Sequence, residues 1–234
     1  MIKKLKKNMP LFDIKITDRP MFKKINRIII NKLNKKIKYS FDICNKGSMK
    51  VKTRKVILKD KSVLRFDVKY PSELNRLQRI AVENGIEIPK ILIIDGNCKI
   101  SEWVEGIMIK HFWNLREVFE KSGDLMGRLN TTPDPKNPNH FLTNSEFSSS
   151  NAIWTPDRKI YLIDHGRMKT TINPDDSVVQ VLLKRIRSKE RISVFLKAYS
   201  KYRKIDNIMN QIKERNWSWI NRTLIENDTP LEGK

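Results

Sequence analysis

Three polar residues, with a hairpin between two of them, constrain this chain more than any other feature. Glu146, Asn151 and Asp164 stand five and then thirteen residues apart. Asn151-Ala152-Ile153-Trp154 and Ile160-Tyr161-Leu162-Ile163 read as short apolar strands. Thr155-Pro156-Asp157-Arg158 between them carries the turn residues that fold one back on the other. Such a hairpin brings Asn151 and Asp164 to the same end. An amide and a carboxylate side by side are hard oxygen donors, the kind that hold a magnesium ion against phosphates. Asn and Asp also favour strand ends as plain turn residues, so it is the joint spacing with Glu146 that argues for a site.

Composition narrows the classes. The chain has 234 residues, 39% of them hydrophobic, enough for one large or two small lobes with a real core. Forty-eight Lys and Arg stand against 26 Asp and Glu, a net charge of +22. That excess suits a polyanionic partner, such as an anionic membrane surface, nucleic acid or a phosphorylated substrate. A Lys-, Ile- and Asn-rich compositional habit would give the same excess. Cys44 and Cys98 are the only cysteines, which leaves no disulfide framework or Cys/His metal cluster and favours a reducing, cytoplasmic setting. No apolar run approaches the roughly 20 residues of a membrane span. No apolar stretch follows the basic segment Met1-Ile2-Lys3-Lys4-Leu5-Lys6-Lys7, which argues against a secretory signal.

Along the chain, residues 21–38 place Phe22, Ile25, Ile29, Leu33 and Ile37 on one helical stripe, with Lys23, Lys24, Arg27, Lys32, Lys35 and Lys36 elsewhere. Such a helix either lies on an anionic membrane or packs its stripe on the body of the protein. Strand patterns follow at residues 39–44, 51–58 and 62–68, then a helix from Ser72 to a stop at Gly85, then strands at residues 88–94 and 99–104. Five strands and one helix make a small lobe over residues 39–105. The remainder, residues 106–225, reads as helical apart from the hairpin. Ser122-Gly123 interrupts one helix, residues 131–139 with three prolines form a loop, and helices are expected at 178–186, 191–203 and 205–216. Residues 226–234 read as a frayed tail.

This order of a five-stranded lobe, a linker at Glu102-Trp103-Val104-Glu105-Gly106 and a helical lobe holding a carboxylate, an Asn and an Asp-x-Gly resembles the protein-kinase-like superfamily. Within it the chain is most similar to small kinases of antibiotics, sugars and the lipopolysaccharide core. The resemblance covers roughly residues 39–202 and is best over residues 151–166. It implies an α+β, bilobal protein-kinase-like fold with a small antiparallel five-stranded N-lobe and a mainly helical C-lobe. Asp164-His165-Gly166 matches the metal-binding triplet and Asn151 the second magnesium ligand. Glu146 falls at the catalytic carboxylate, Arg65 at the phosphate-pairing cation of the third strand, and Glu73 at that cation's helix partner. Gly47 stands in the phosphate-covering loop, and Glu102 and Val104 in the linker that meets the nucleotide.

The departures are Asn144 for the usual His, Glu146 for Asp, His165 for Phe, Arg65 for Lys, and a single glycine in the phosphate loop. Arg keeps the charge of Lys but is longer and planar, with a bidentate fork. Glu keeps the carboxylate, but its extra methylene must be absorbed by the loop, and a misplacement of about 1 Å can cost about a hundredfold in rate. The expectation is an ATP-dependent phosphotransferase, using Mg2+ or Mn2+, acting on a hydroxyl of a sugar or glycolipid at the cytoplasmic face of a membrane, on an already phosphorylated substrate. An atypical protein kinase of the RIO kind and an inactive pseudokinase that serves as a binding module stand as alternatives. Nucleic-acid binding has only the charge in its favour, with no recognition motif.

Overall fold

The structure, a computed structural model, describes residues 19–42, 52–68, 71–112, 114–164, 166–186 and 188–214. Gly47, His165 and the tail at 226–234 lie outside the described residues. The chain divides into two compact units, one formed by Met1–Tyr70 with Ile91–Trp103 and the other by Pro71–Lys90 with Val104–Lys234.

In the smaller unit, β1 (Ile37–Asp42), β2 (Lys52–Leu58), β3 (Val63–Val68), β4 (Ile91–Asp95) and β5 (Cys98–Glu102) form an antiparallel sheet in the order β1-β2-β3-β5-β4. The period-two alternation gives this sheet two different faces. One carries Val56, Leu58, Leu64, Phe66, Val68, Cys98 and Ile100, and α1 (Arg19–Leu33) covers it with Ile25, Ile28 and Ile29. Burying each of these isoleucines stabilises the unit by about 2 kcal/mol. The apolar stripe of the basic helix is therefore packed on protein, while Lys23, Arg27 and Lys32 remain exposed. The helix ends earlier than expected because Asn34 takes a positive φ of 51°, a conformation Asn tolerates well enough to stop a helix. Ile37 then opens the first strand instead of extending the stripe.

The opposite face is polar. Thr53 of β2, Arg65 and Asp67 of β3, and Lys99 and Ser101 of β5 stand in register, with Asp67 between Thr53 and Lys99.

The larger unit contains α2 (Ser72–Glu83), β6 (Ile107–Met108), a 3₁₀ turn (Ile109–Phe112), α3 (Arg116–Thr131), β7 (Pro133–Asp134), β8 (Asn137–Asn144), β9 (Ala152–Trp154), β10 (Ile160–Leu162), β11 (Met168–Thr171), α4 (Asp175–Arg185), α5 (Lys189–Tyr199) and α6 (Asp206–Glu214). Helix α2, read from the sequence as part of the small lobe, gives Leu77, Ile80 and Ala81 to the core of this unit, together with Phe119, Met126, Leu142, Val178 and Phe195. Two short sheets, β10-β9-β6 and β11-β8-β7, carry its loops.

Three local expectations are corrected here. Residues 131–139 are largely strand: their prolines occupy the edge strand β7, the turn and the start of β8, where no ladder donor is needed. Strand β11 pairs with β8, and its Met168-Lys169-Thr170-Thr171 has too little apolar alternation to announce a strand. Helix α3 runs without a break through Ser122-Gly123. A Cβ at Gly123 would collide with the carbonyl oxygen of Phe195, so this glycine permits close approach of α3 and α5.

A polar network ties the helices of this unit together. The Tyr199 hydroxyl donates to Asp175 Oδ1 at 2.6 Å and accepts from Asn130 Nδ2 at 3.0 Å, and Arg203 Nε donates to the same carboxylate oxygen at 2.8 Å. Desolvation raises the Asp175 carboxyl, but the bonds from Arg203 and Tyr199 outweigh it and leave it below its ordinary pKa.

Candidate active site

The segment that carries Glu146, Asn151 and Asp164 is held by side-chain bonds to backbone. Strand β8 ends at Asn144, which is fully buried and paired in register with Met168 of β11. Its Nδ2 donates to the Asp164 carbonyl at 3.2 Å, and its Oδ1 accepts the Glu146 N–H at 2.8 Å. One buried amide thus ties the loop after β8 to the chain leaving β10. Leaving either backbone group unpaired in the interior would cost about 1–3 kcal/mol, so the tie is strongly favoured.

Asn151 supplies the next constraint. Its Nδ2 donates to the Glu146 carbonyl at 2.8 Å, while its own carbonyl accepts the Ile163 N–H at 3.0 Å and the Asp164 N–H at 3.4 Å. Strands β9 and β10 pair Ala152 with Leu162, so these bonds extend the hairpin by one step at its open end. Thr155 closes the other end: its hydroxyl bonds Asp157 at 2.5 Å and the Lys159 carbonyl at 3.0 Å, and Arg158 takes the left-handed conformation the turn requires. Between the two constraints, Phe147 is fully buried and anchors the loop. The serines that follow it act as spacer, with the Asn151 N–H bonded to the Ser148 carbonyl at 3.0 Å.

The structure therefore places Glu146, Asn151 and Asp164 in one backbone-locked cluster. With its nitrogen committed to the Glu146 carbonyl, Asn151 retains Oδ1 as its available oxygen donor. Asp164 is exposed, with Oδ1 accepting the Gly166 N–H at 3.2 Å. Two oxygen-bearing side chains on one hairpin end fit Mg2+, which takes one or two protein donors and completes its shell with water and phosphate. Among the described residues no group of three or more His, Cys, Asp or Glu could hold a metal, and such a cage is not what a metal–nucleotide site needs. The Glu146 carboxylate accepts from Arg167 Nε at 3.1 Å, and both side chains reach solvent, 39% and 71% exposed.

The other candidates have partners inside their own units. In the smaller unit Arg65 Nε bonds both oxygens of the buried Asp67 at 3.1 and 3.0 Å, Thr53 donates to Asp67 at 2.7 Å, and Lys99 Nζ lies 3.4 Å away. Burial pushes the Asp67 carboxyl up, but the two cations and the Thr53 hydroxyl together hold it below its ordinary value. In the larger unit Glu73 is gripped by Arg76, whose Nε bonds both its oxygens at 3.0 Å and whose Nη1 donates to the buried Asp134 at 2.6 Å. Within its own unit each of Arg65 and Glu73 thus has an oppositely charged neighbour that the sequence did not announce. Glu102 closes β5 and is exposed, while Val104 is half-buried at the start of the returning segment of the larger unit.

Three residues that bond the candidates or their partners had no role in the sequence reading. Asn144 is visible only as a substituted His, and its clamp depends on β8 and β10 meeting. Arg167 carries no spacing signal toward Glu146. Asp134 lies in a stretch read as loop, and its partner Arg76 is 58 residues away.

No family model matches the chain, and no curated protein matches it in sequence. Solved structures do match. An ethanolamine kinase of Plasmodium vivax aligns with a TM-score of 0.62 and 11% identity, over 90% of this chain and 82% of that one. The choline kinase LicA of Streptococcus pneumoniae aligns with a TM-score of 0.60 and 12% identity, over 92% and 94%. A spectinomycin phosphotransferase solved with ADP and spectinomycin aligns with a TM-score of 0.60 and 9% identity, over 76% and 79%. The chain has the protein-kinase-like fold, in the form found in these small-molecule kinases.

Proposed function

We propose that this protein is an ATP-dependent phosphotransferase acting on a hydroxyl of a sugar or glycolipid at the cytoplasmic face of a membrane. One observation carries the reading: the Asn144 clamp and the Asn151 bonds hold a carboxylate, an amide and a second carboxylate in the order and spacing that phosphoryl transfer uses. The fold is shared with kinases of alcohol-bearing small molecules, one of them solved with ADP.

In this reading Asp164 and Asn151 hold the divalent ion, which when bound neutralises phosphate charge. Glu146 orients the acceptor hydroxyl and takes its proton as the oxygen bonds to the γ-phosphorus. The bond from that phosphorus to the β–γ bridging oxygen breaks, and ADP departs with the electron pair. Exposed Lys and Arg on α1 add electrostatic attraction to an anionic bilayer, each on the order of 1 kcal/mol near the surface, without insertion of the stripe already packed on the sheet. Among the described residues no helix is long and apolar enough to cross a membrane.

The expected result is that ATP or ADP with Mg2+ or Mn2+ raises the melting temperature, and that Asp164→Ala abolishes the metal-dependent part. Mass spectrometry after incubation with ATP and candidate glycans should show gain of a phosphoryl group. Failure of every nucleotide to stabilise the protein sinks the proposal. The Glu146–Arg167 pair favours a second reading, a nucleotide-binding module without turnover. Nucleotide binding with no phosphorylated product from any acceptor selects it.

A further inference from the structure

We propose that Arg167 is a specificity residue that receives a phosphate group carried by the acceptor whose hydroxyl meets Glu146; the inference rests on the phosphotransferase reading of that site. The Nε of Arg167 lies 3.1 Å from Glu146 Oε1. Any hydroxyl brought to that carboxylate therefore arrives within a few ångströms of a guanidinium. The guanidinium is planar and always charged, and its paired donors match carboxylate and phosphate oxygens two at a time.

Magnitudes decide whether Arg167 is available. An ion pair between side chains this exposed contributes about 0–1 kcal/mol and is screened by salt. Glu146 therefore does not lock Arg167, and a phosphate monoester carrying about −1.5 to −2 charges competes well for it. The surroundings favour the same ligand. Lys169 is exposed two residues on in β11, and exposed Lys110 has its backbone N–H bonded at 2.9 Å to the Ser149 carbonyl of the Glu146–Asn151 loop. Against these stand Glu146 itself and the exposed Asp164, which the metal would occupy.

The test uses the full chain saturated with ADP and Mg2+. One arm titrates glucose and glucose 6-phosphate by calorimetry. The other measures binding to phosphatidylcholine vesicles made equally anionic with phosphatidylserine or with phosphatidylinositol 4-phosphate. At least one phosphorylated probe should bind about tenfold tighter than its counterpart, and the arm that responds tells a soluble acceptor from a lipid-borne one. Arg167→Gln should reduce that preference to near parity with ADP affinity unchanged, and Arg167→Lys should retain part of it. Glu146→Gln, which removes the competing carboxylate, should strengthen binding of the phosphorylated probe. Absence of any preference in the natural protein, or a preference that survives Arg167→Gln, overturns the inference while leaving the phosphotransferase reading intact. Loss of ADP binding in the natural protein overturns both.

Discussion

Asn144 shows at the scale of one residue how a single buried side chain can tie two distant backbone segments together. It bonds the Glu146 N–H and the Asp164 carbonyl with its two amide ends. A buried amide offers a donor and an acceptor at the same time, which is what two backbone groups of opposite kind require. Asn144→Ala should lower stability by about 2 kcal/mol, read as a fall in melting temperature. With Glu146 in its proposed role, it should also lower turnover more than nucleotide affinity, because a misplacement of about 1 Å costs about a hundredfold in rate. A second test at this scale concerns Arg76 and Asp134. Bonding to Arg76 holds the Asp134 carboxyl down at about 2, below its ordinary 3.8. A depressed folded-state pKa contributes stability that is present above about pH 4 and lost as pH falls toward 2. Arg76→Met should reduce that acid-side slope in a denaturation series, leaving the part that the Lys136 N–H and Thr170 hydroxyl maintain. It should cost about 2 kcal/mol at neutral pH, below a fully buried pair because the Arg76 side chain is 22% exposed.

The hairpin of β9 and β10 was legible as an element because everything that makes it is local: two short apolar runs, a Thr-Pro-Asp-Arg turn and polar residues at the open end. The five strands of the small sheet were legible for the same reason, to within two or three residues at each end. Strands β8 and β11 were not: β8 opens in a proline-bearing stretch, and β11 has too little alternation and finds its ladder partners in β8 about 24 to 30 residues away. Helix α3 exposes a further limit. The Ser-Gly pair inside it suggested a break, yet the helix continues because the glycine permits contact with α5. Gly123→Ala separates these effects. Helix propensity alone predicts a gain of about 1 kcal/mol, whereas the collision with the Phe195 carbonyl predicts a net loss of about 1–3 kcal/mol. Chemical denaturation should show the loss.

For the molecule as a whole, the charge of +22 and the chain order of the small sheet's strands were properties of the sequence. So was the meeting of Asn151 and Asp164 at one hairpin end, because linear spacing around a hairpin places them with no long-range information. The tertiary structure alone decided what each charged group does. It turned the stripe of the basic N-terminal helix onto the small sheet, because buried isoleucines gain more there than in water. It assigned α2 to the core of the larger unit through Leu77, Ile80 and Ala81. It placed Arg65 with Asp67 and Glu73 with Arg76, and set Arg167 against Glu146. A sequence records which groups are available and how far apart the chain holds them. Which charges meet depends on contacts between residues far apart in the chain, and those form only when packing brings the strands and helices together.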